Sequence, residues 1–581
     1  MKKFILTFLV VVSIFVIGEL TKPIYPKAVE LTVSQEAVIT ANDLQDNSPP
    51  PTPGQSDNES ILVSESVELE PAKVITDPVE LAIRRKIDKL TGPLIPDDFL
   101  RVRSLYFSSN SVTDIKNLHF AKNLKSLRLS GNGLENISSL SSLPNLEWLE
   151  LDSSNISGVD ALSGLDKLES VSLSDNDLSD IKALSGLSRL EYVNLSGNKL
   201  SDISPVKQLS ALSSVNLSNN EISNIHSISN LPNLEAFQAE HNQIRDISAL
   251  KNSENLVSLS LSHNEINDVS SLSGLKRLKS LNLGHNKLDD SDLYDLEGLS
   301  WITELDISNN QQISNVRPIG GLSRLMVFRT VGNSLTDVTP LGRLPQLTEL
   351  YLGRNNITKI GPIATLRNLR TLDLGWNRGI RDVTPLSRLK KLSVLKMNNL
   401  PLHDFNSLQG LESLTELNLS GTGIKDLRGL GNLSKLEKLD LSGNNLTDVR
   451  VLKSLLNLSE LNLSGNKIRD LDFLSDLGGL KVLDLSNNNL SSLALDDLTS
   501  LSRLESLSIN HNNIKSIRKL EKSVSLKKLY LIGTDVFSLK ALYGLGNLKE
   551  LYLGSNSRVS EQQINSLKNA LPELRVEIST Q

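Results

Sequence analysis

The stretch Leu190–Asn198 reads LEYVNLSGN, with apolar residues at its first, fourth and sixth positions and asparagine at its ninth. The same pattern returns at Leu256–Asn264 (LVSLSLSHN) and at Leu458–Asn466 (LSELNLSGN). The ninth position occurs 21 times between residues 110 and 556, and sixteen of the twenty intervals are 22 residues long, the others being 23 or 24. Recurrence at one period indicates a single structural unit repeated head to tail.

The alternation within each unit points its apolar residues to one side of a short strand. One unit cannot bury that side alone, so neighbouring units must stack, with strands about 4.8 Å apart. We therefore predict an α/β-type solenoid dominated by parallel β-structure. Because 22 residues leave little room for a helix, we expect 3₁₀ or extended segments on the convex side, capped by aspartates such as Asp202 and Asp448. The longer units at 289–300 and 491–502 predict a helical turn there.

The ninth position forms a ladder of buried side chains. An asparagine amide both donates and accepts, and so can satisfy the turn backbone of two units, which an apolar residue cannot do. Asparagine occupies 17 of the 21 positions, the exceptions being Ser154, Leu400, Thr422 and Thr534. The predicted structural asparagines are Asn110, Asn132, Asn176, Asn198, Asn220, Asn242, Asn264, Asn286, Asn310, Asn333, Asn355, Asn377, Asn444, Asn466, Asn488, Asn512 and Asn556.

The amino terminus has the pattern of a targeting segment. Lys2 and Lys3 precede an uncharged apolar run over residues 4–17, which fits a secretory signal peptide over 1–18 and is short for a membrane span of about 20 residues. An uncleaved anchor is the alternative. Residues 19–76 are predicted to be a disordered acidic spacer, because 29–72 contain nine acidic residues, no Lys or Arg, and a proline run.

Both ends of the repeat array are predicted to be capped. Asp77 before Pro78 is a helix-start signal, and Ile83, Ile87 and Leu90 follow at helical spacing. We expect a helical amino-terminal cap over 77–101, the solenoid over 102–570 and a closing strand over 571–581.

Composition excludes several classes of function. The chain has 61 Lys and Arg against 67 Asp and Glu, a net charge of −6, which argues against nucleic acid as a partner. It has no cysteine and no catalytic motif, so we expect neither an enzyme nor a cofactor. His241, His263 and His285 each precede a ladder asparagine. Stacked on neighbouring units, they could form a metal site or an acid sensor. A turn-filling role is favoured, so no metal is predicted.

Residues 102–578 resemble the bacterial leucine-rich repeat class with 22-residue units, as in the repeat domains of internalins. Residues 77–100 are similar to the helical cap that precedes such repeats, and 571–578 to a closing half-unit. The resemblance implies a right-handed leucine-rich repeat superhelix of about 21 repeats that binds its partner through the concave sheet.

Candidate binding residues are the aromatic and basic side chains at the variable strand positions, because Trp, Tyr and Arg contribute most to interface energies. The charge of these positions is also segregated, with eight acidic residues and no Lys or Arg on the strands from Glu147 to His241. The candidates form a central cluster (Arg329, Tyr351, Arg354, Arg370, Trp376 and Lys396), an early pair (Trp148 and Tyr192) and a late pair (Tyr530 and Tyr552).

These observations favour an exported recognition protein, secreted or held at the cell surface or in the periplasm, that binds a protein or glycan through its concave face. We expect a monomer with no nucleic-acid partner and no membrane contact beyond the amino-terminal segment. The alternative is a membrane-tethered structural scaffold of the cell envelope.

Overall fold

A computed structural model of the chain describes residues 77–134, 136–402, 406–554 and 558–579. The predicted signal peptide (1–18), the predicted spacer (19–76) and Asn556 lie outside the described residues. The chain divides into two compact units, Met1–Leu81 and Ala82–Gln581, and only residues 77–81 of the first are described. Every helix in the described ranges is too short or too polar to span a bilayer.

Each repeat contributes one short strand to a single parallel sheet. Neighbouring strands pair in chain order and in register, so that Leu127 lies beside Leu149 and Leu149 beside Val171. In each three-residue strand the middle residue points into the core, and the first and third residues form the opposite side, here called the sheet face. The predicted parallel solenoid is confirmed. The strands are β1 Ser104–Tyr106, β2 Ser126–Arg128, β3 Trp148–Glu150, β4 Ser170–Ser172, β5 Tyr192–Asn194, β6 Ser214–Asn216, β7 Ala236–Gln238, β8 Ser258–Ser260, β9 Ser280–Asn282, β10 Glu304–Asp306, β11 Val327–Arg329, β12 Glu349–Tyr351, β13 Thr371–Asp373, β14 Val394–Lys396, β15 Glu416–Asn418, β16 Lys438–Asp440, β17 Glu460–Asn462, β18 Val482–Asp484, β19 Ser506–Ser508, β20 Lys528–Leu531, β21 Glu550–Gly554 and β22 Arg575–Ser579.

From β1 to β21 the chain returns from each strand to the next through a 3₁₀ helix, as predicted. Aspartate caps these segments: the N–H groups of Ser204 and Arg450 donate to Asp202 Oδ1 (2.8 Å) and Asp448 Oδ1 (3.1 Å). The 3₁₀ helices are Lys116–Phe120, Ser138–Ser142, Asp160–Leu162, Lys182–Leu184, Ser204–Gln208, His226–Asn230, Ser248–Leu250, Ser270–Leu272, Asp292–Leu296, Pro318–Gly321, Thr339–Arg343, Gly361–Thr365, Thr384–Arg388, Asn406–Gly410, Arg428–Leu430, Arg450–Ser454, Asp472–Asp476, Ser492–Ser500, Arg518–Lys522 and Lys540–Leu542.

The two longer units behave differently from each other. Ser492–Ser500 is a 3₁₀ helix of nine residues, so the insertion there lengthens the helical turn. Asp292–Leu296 has five residues, the same length as many others in the array, so that insertion is taken up in the flanking turns.

The amino-terminal end carries two α-helices, α1 Pro78–Ile87 and α2 Pro96–Leu100. Asp77 Oδ1 accepts the N–H of Val79 at 2.8 Å, which gives α1 the predicted cap. The prediction that Leu90 continues the apolar stripe is wrong: α1 ends at Ile87 and Leu90 is 67% exposed. Asp88, with φ of 56°, turns the chain directly after α1.

The carboxyl-terminal end holds an α-helix that the repeat pattern did not predict. Helix α3, Glu561–Ala570, precedes β22, and Ser560 Oγ accepts the N–H of Gln563 at 3.3 Å as its cap. Ile564 and Leu567, three residues apart, are its buried side chains. In this last unit the segment before the strand has its apolar residues at helical spacing, which favours an α-helix over a 3₁₀ turn.

Candidate functional site

The ladder asparagines hold successive turns together. Nδ2 of Asn264 donates to the carbonyl oxygens of Ala239 (2.9 Å) in the preceding unit and Leu261 (3.0 Å) in its own, while Oδ1 accepts the N–H of Ile244 (2.9 Å). Asn264 is 8% exposed, so these bonds are shielded from water. Fifteen of the predicted ladder asparagines are buried in this way, whereas Asn110, in the first unit with no preceding repeat beside it, is exposed, so the prediction that it is a buried ladder residue is wrong.

The exceptions retain part of this bonding. Ser154 Oγ donates to the carbonyl of Leu129 at 3.1 Å, and Thr422 Oγ1 donates to that of Leu419 at 2.8 Å. Leu400 is fully buried and contributes packing alone.

The residue immediately before the ladder position has a left-handed backbone in unit after unit. Glycine often occupies it, as at Gly332 with φ of 70°, because glycine adopts this conformation without a steric penalty. Arg354 (φ 54°), Trp376 (φ 62°) and His263 (φ 56°) occupy the same position with full side chains. The strand has ended there, so Arg354 and Trp376 lie in the turns after β12 and β13. The expectation that they lie on strands is wrong.

The left-handed turn brings Trp376 between two guanidinium groups. The guanidinium carbon of Arg354 lies 5.1 Å from the centre of the indole ring, and that of Arg378 lies 5.5 Å from it. Trp376 remains 37% exposed. Arg378 was missed by sequence reasoning; it lies two residues after Trp376, beyond the ladder asparagine, outside the positions searched.

On the neighbouring strands, Arg329 and Tyr351 form a second stacked pair. The guanidinium carbon of Arg329 lies 4.8 Å from the Tyr351 ring centre, and the Tyr351 hydroxyl donates to Glu349 Oε2 at 2.9 Å. Burial, followed by this bond to a carboxylate, raises the pKa of Tyr351 to about 12. Nη1 of Arg329 is buried and has no hydrogen-bond partner in the part of the chain that the structure describes.

The other two members of the central cluster lie beside these pairs. Arg370 is exposed just before β13, and Lys396 ends β14, 3.7 Å from Glu416. Between Tyr351 and Lys396 in the register lies Asp373, whose pKa is raised by burial although the N–H of Gly375 donates to it at 2.8 Å. The centre of the face therefore combines cations and aromatic rings with a carboxyl group that burial makes less acidic.

The early pair, Trp148 and Tyr192, has more acidic surroundings than the central cluster. Trp148 on β3 donates from Nε1 to Glu150 at 3.2 Å, and Tyr192 lies two strands further along in the same register row. Burial, assisted by the charges of Asp152 and Glu150, raises the pKa of Tyr192 to about 12. Arg128 on β2 forms an ion pair with Glu150 at 3.0 Å, a neighbour that sequence analysis did not include.

The late pair forms a direct stack. The rings of Tyr530 and Tyr552 lie 4.4 Å apart and nearly parallel, at 7°. Tyr552 donates to Glu550, and Glu550 also pairs with Lys528 at 2.9 Å. This cluster is thus largely neutralised by its own contacts.

Three histidines form a continuous stack along the left-handed turns. The rings of His241 and His263 lie 3.9 Å apart, and those of His263 and His285 lie 3.8 Å apart. Ring nitrogens lie in the ring planes, so in parallel rings their lone pairs do not converge on one ion. Among the described residues no group of three or more His, Asp or Glu side chains is arranged to hold a metal.

Comparison with known proteins supports the repeat assignment. Leucine-rich repeat models match residues 166–208, 254–298, 412–454 and 456–501, and a further one matches 365–383. No curated protein matches the chain by sequence.

Solved structures with the same repeat architecture come from bacteria and plants. An internalin (inlF) of Listeria monocytogenes is 28% identical over 65% of this chain and 99% of its own, with a TM-score of 0.46. The ectodomain of the receptor kinase GASSHO1/SCHENGEN3 of Arabidopsis thaliana, in complex with CASPARIAN STRIP INTEGRITY FACTOR 2, is 24% identical, with a TM-score of 0.53; the match covers 80% of this chain and 60% of that one. The plant peptide hormone receptor RGFR1, in complex with RGF2, is 20% identical over 80% of this chain and 85% of its own, with a TM-score of 0.51. The repeat period, the parallel sheet and the matching repeat models show that this chain has the leucine-rich repeat architecture.

Proposed function

We propose that the chain is an exported recognition protein that binds a protein or glycan ligand through its sheet face, centred on strands β11–β14. The observation that carries this proposal is the clustering of two stacked pairs, Arg329 with Tyr351 and Arg354 with Trp376, on three adjacent units. These are the residue types that dominate binding energy at protein interfaces. Their partners within the chain hold them in place before a ligand arrives, which lowers the entropy lost on binding.

Arg329 adds a specific argument for a ligand. A buried guanidinium donor without an acceptor is unfavourable, and the Nη1 atom of Arg329 has none among the described residues. A turn of the half-buried guanidinium toward a ligand carboxylate or carbonyl oxygen would supply that acceptor with a charge-assisted hydrogen bond. The central cluster is therefore a better candidate than the late tyrosine pair, whose polar groups are satisfied internally.

The class of ligand is inferred from receptors that share this fold. Receptors of this fold have been solved with peptide ligands, as in RGFR1 with RGF2. We infer a protein or peptide ligand first and a glycan second, for a monomeric and non-enzymatic scaffold that works without a cofactor.

The binding proposal is tested with the full chain as bait for proteins on the surface of contacted cells. Proteins retained by the wild type are compared with those retained by Arg329→Ala and Trp376→Gly. The matched control is Arg428→Ala, an exposed arginine whose pairing with Asp426 (2.6 Å) lies outside the sheet face. We expect both cluster variants to lose a ligand that the wild type retains, because its binding free energy is weakened by at least about 1–2 kcal/mol, and we expect the control to retain it. Equal capture by all four proteins would contradict the proposal.

Export is tested separately by fractionating cells and determining the amino terminus of the chain by mass spectrometry. A chain beginning near Glu19 outside the cell supports a released recognition protein. An intact Met1 in the membrane fraction supports the alternative, a tethered scaffold of the envelope, in which the acidic segment 19–76 would act as a stalk.

A further inference from the structure

A second charged surface lies along the edge of the sheet where the strands begin. The positions nine and ten residues before the ladder residue form this edge, in the turn between each 3₁₀ helix and its strand. In the six consecutive units that end at ladder positions 286 to 400, these twelve positions carry six cations and no acid. We call these six the basic edge: Lys276, Arg277, Arg324, Arg367, Lys390 and Lys391.

The charge of the basic edge is exposed and is not neutralised. All six side chains are exposed, and among the described residues Arg277, Arg324, Arg367, Lys390 and Lys391 make their contacts with uncharged groups. Arg277 donates to Asn255 Oδ1 at 2.6 Å, Lys391 to Asn368 Oδ1 at 2.8 Å, and Arg367 to the carbonyl of Arg388 at 2.9 Å. These bonds orient the cations along the edge and leave their charge available to an anion.

The sequence around most of the basic edge also has an excess of positive charge. Residues 307–402 contain 14 Lys and Arg against four Asp and Glu, whereas the whole chain has a net charge of −6. The basic edge also has defined ends, because the same positions hold Glu254 in the unit before it and Glu412 in the unit after it. The net charge of the whole chain, which argued against nucleic acid as a partner, conceals a local basic field.

Trp301 interrupts the row of cations and supplies a flat apolar platform. The guanidinium carbon of Arg324 lies 3.8 Å from the centre of its ring, and the indole is 49% exposed. Trp301 also lines a surface cavity together with Lys276 and Arg277. An aromatic ring flanked by cations can pack against the apolar face of a sugar while the cations bind its acidic substituents.

We propose that the basic edge binds a linear anionic polysaccharide, running across the units. Strands lie about 4.8 Å apart, a length of the same order as one sugar residue of an extended chain, so successive units can meet successive residues. The uncharged positions of the row, which include Ser300, Ser323 and Gln346, offer hydroxyl and amide groups to sugar hydroxyls. Nucleic acid fits less well, because its phosphates repeat at about 3.4 Å per strand and its bases need several stacking rings, of which this row has one.

The test uses the full chain and a defined probe, heparin, a linear sulfated polysaccharide. The triple variant Arg324→Gln, Arg367→Gln, Lys391→Gln is compared with Lys167→Gln, Arg189→Gln, Lys435→Gln, which removes three cations from the corresponding edge positions, nine residues before the ladder residue, in other units. We expect the first to weaken heparin binding at least about ten-fold and to reduce the slope of log K against log salt by about two to three, and the second to change neither. An equal effect of both variants would overturn the assignment of the edge.

Two further probes separate a polysaccharide from other polyanions. Polyphosphate tests charge alone, and single-stranded DNA tests nucleic acid. We expect both to bind more weakly than heparin, and Trp301→Ala to reduce heparin binding while leaving polyphosphate binding unchanged. Binding of either probe as tightly as heparin, or a Trp301→Ala variant with unchanged heparin binding, would overturn the polysaccharide assignment. Trp376→Gly should keep full heparin binding, so this inference and the proposed sheet-face site can fail independently.

Discussion

The guanidinium carbon of Arg354 lies 5.1 Å from the centre of the Trp376 indole ring, and both residues have a left-handed backbone. The pair thus stands in consecutive turns beyond the strand ends, where the array usually places glycine or asparagine. A bulky side chain in this conformation carries a steric penalty of about 1–2 kcal/mol. Retaining a tryptophan there is understandable if its ring is used on the surface.

Replacement of Trp376 provides a direct test of that penalty. We expect Trp376→Gly to change the free energy of unfolding by less than about 1 kcal/mol, because relief of the left-handed backbone offsets the lost ring contacts. Trp376→Ala should be less stable than Trp376→Gly by about 1 kcal/mol, since alanine loses the ring and keeps the penalty. Urea denaturation of the three proteins measures the difference. An alanine variant as stable as the glycine variant would contradict this account.

The asparagine ladder gives a second prediction. Asn264→Ala leaves the N–H of Ile244 without its acceptor and removes one of the two asparagine donors from each of the buried carbonyls of Ala239 and Leu261. Unsatisfied buried polar groups are unfavourable, so we expect a loss of about 2–3 kcal/mol in unfolding free energy. The denaturation midpoint and the loss of far-UV circular dichroism report this.

A threonine at the same position is the matched control. Thr422 bonds from Oγ1 to the carbonyl of Leu419 and to Asn444 Oδ1, which shows that a hydroxyl replaces part of the amide bonding. Asn264→Thr should therefore lie between the wild type and Asn264→Ala. If the alanine variant is as stable as the wild type, the ladder bonds contribute no net stability.

The sequence predicted the solenoid because the residues that recur at each period have a single structural role. Leucines at the strand positions and asparagine at the turn have one compatible arrangement, in which units stack in register. The positions of side chains just before and just after each strand were not predictable in the same way. A pattern of apolar spacing does not reveal that the strand stops after three residues, so Trp376 and Arg354 were assigned to the strand. Trp301, before the strand, lay outside the variable positions that were searched.

The amino-terminal end gives a third prediction. Phe99 is 7% exposed, and its ring lies 5.4 Å from that of Phe120. We expect Phe99→Ala to destabilise this end of the array by about 3 kcal/mol, because removing a buried aromatic ring leaves a cavity. Hydrogen exchange of the amides in β1 and β2 should become faster. Leu100→Ala, at a neighbouring side chain that is 37% exposed, is the control and should change exchange little. Unchanged exchange in both variants would show that Phe99 does not stabilise these strands.

The stacked histidines predict how stability depends on pH. Burial, followed by the charges of His241 and His285, lowers the pKa of His263 to about 4 from its ordinary value of 6.5. Between these two values the unfolded chain binds more protons than the folded chain, so the stability contributed above pH 6.5 is lost as the pH falls toward 4. The pKa of His285 is lowered too, mainly by burial, and adds to the same trend.

His263→Asn tests this linkage at a backbone that asparagine already accepts, since Asn219 and Asn309 hold equivalent turns with φ of 56°. At pH 7 the variant should match the wild type within about 0.5 kcal/mol. As the pH falls from 6.5 to 4.5, the wild type should lose more unfolding free energy than the variant, because only the wild type must keep an imidazole uncharged between two others. His511→Asn, at the same turn position without a histidine in either neighbouring unit, should preserve the wild-type pH dependence. Denaturant titrations across this range measure it, and parallel curves for wild type and His263→Asn would show that the stack does not govern acid stability.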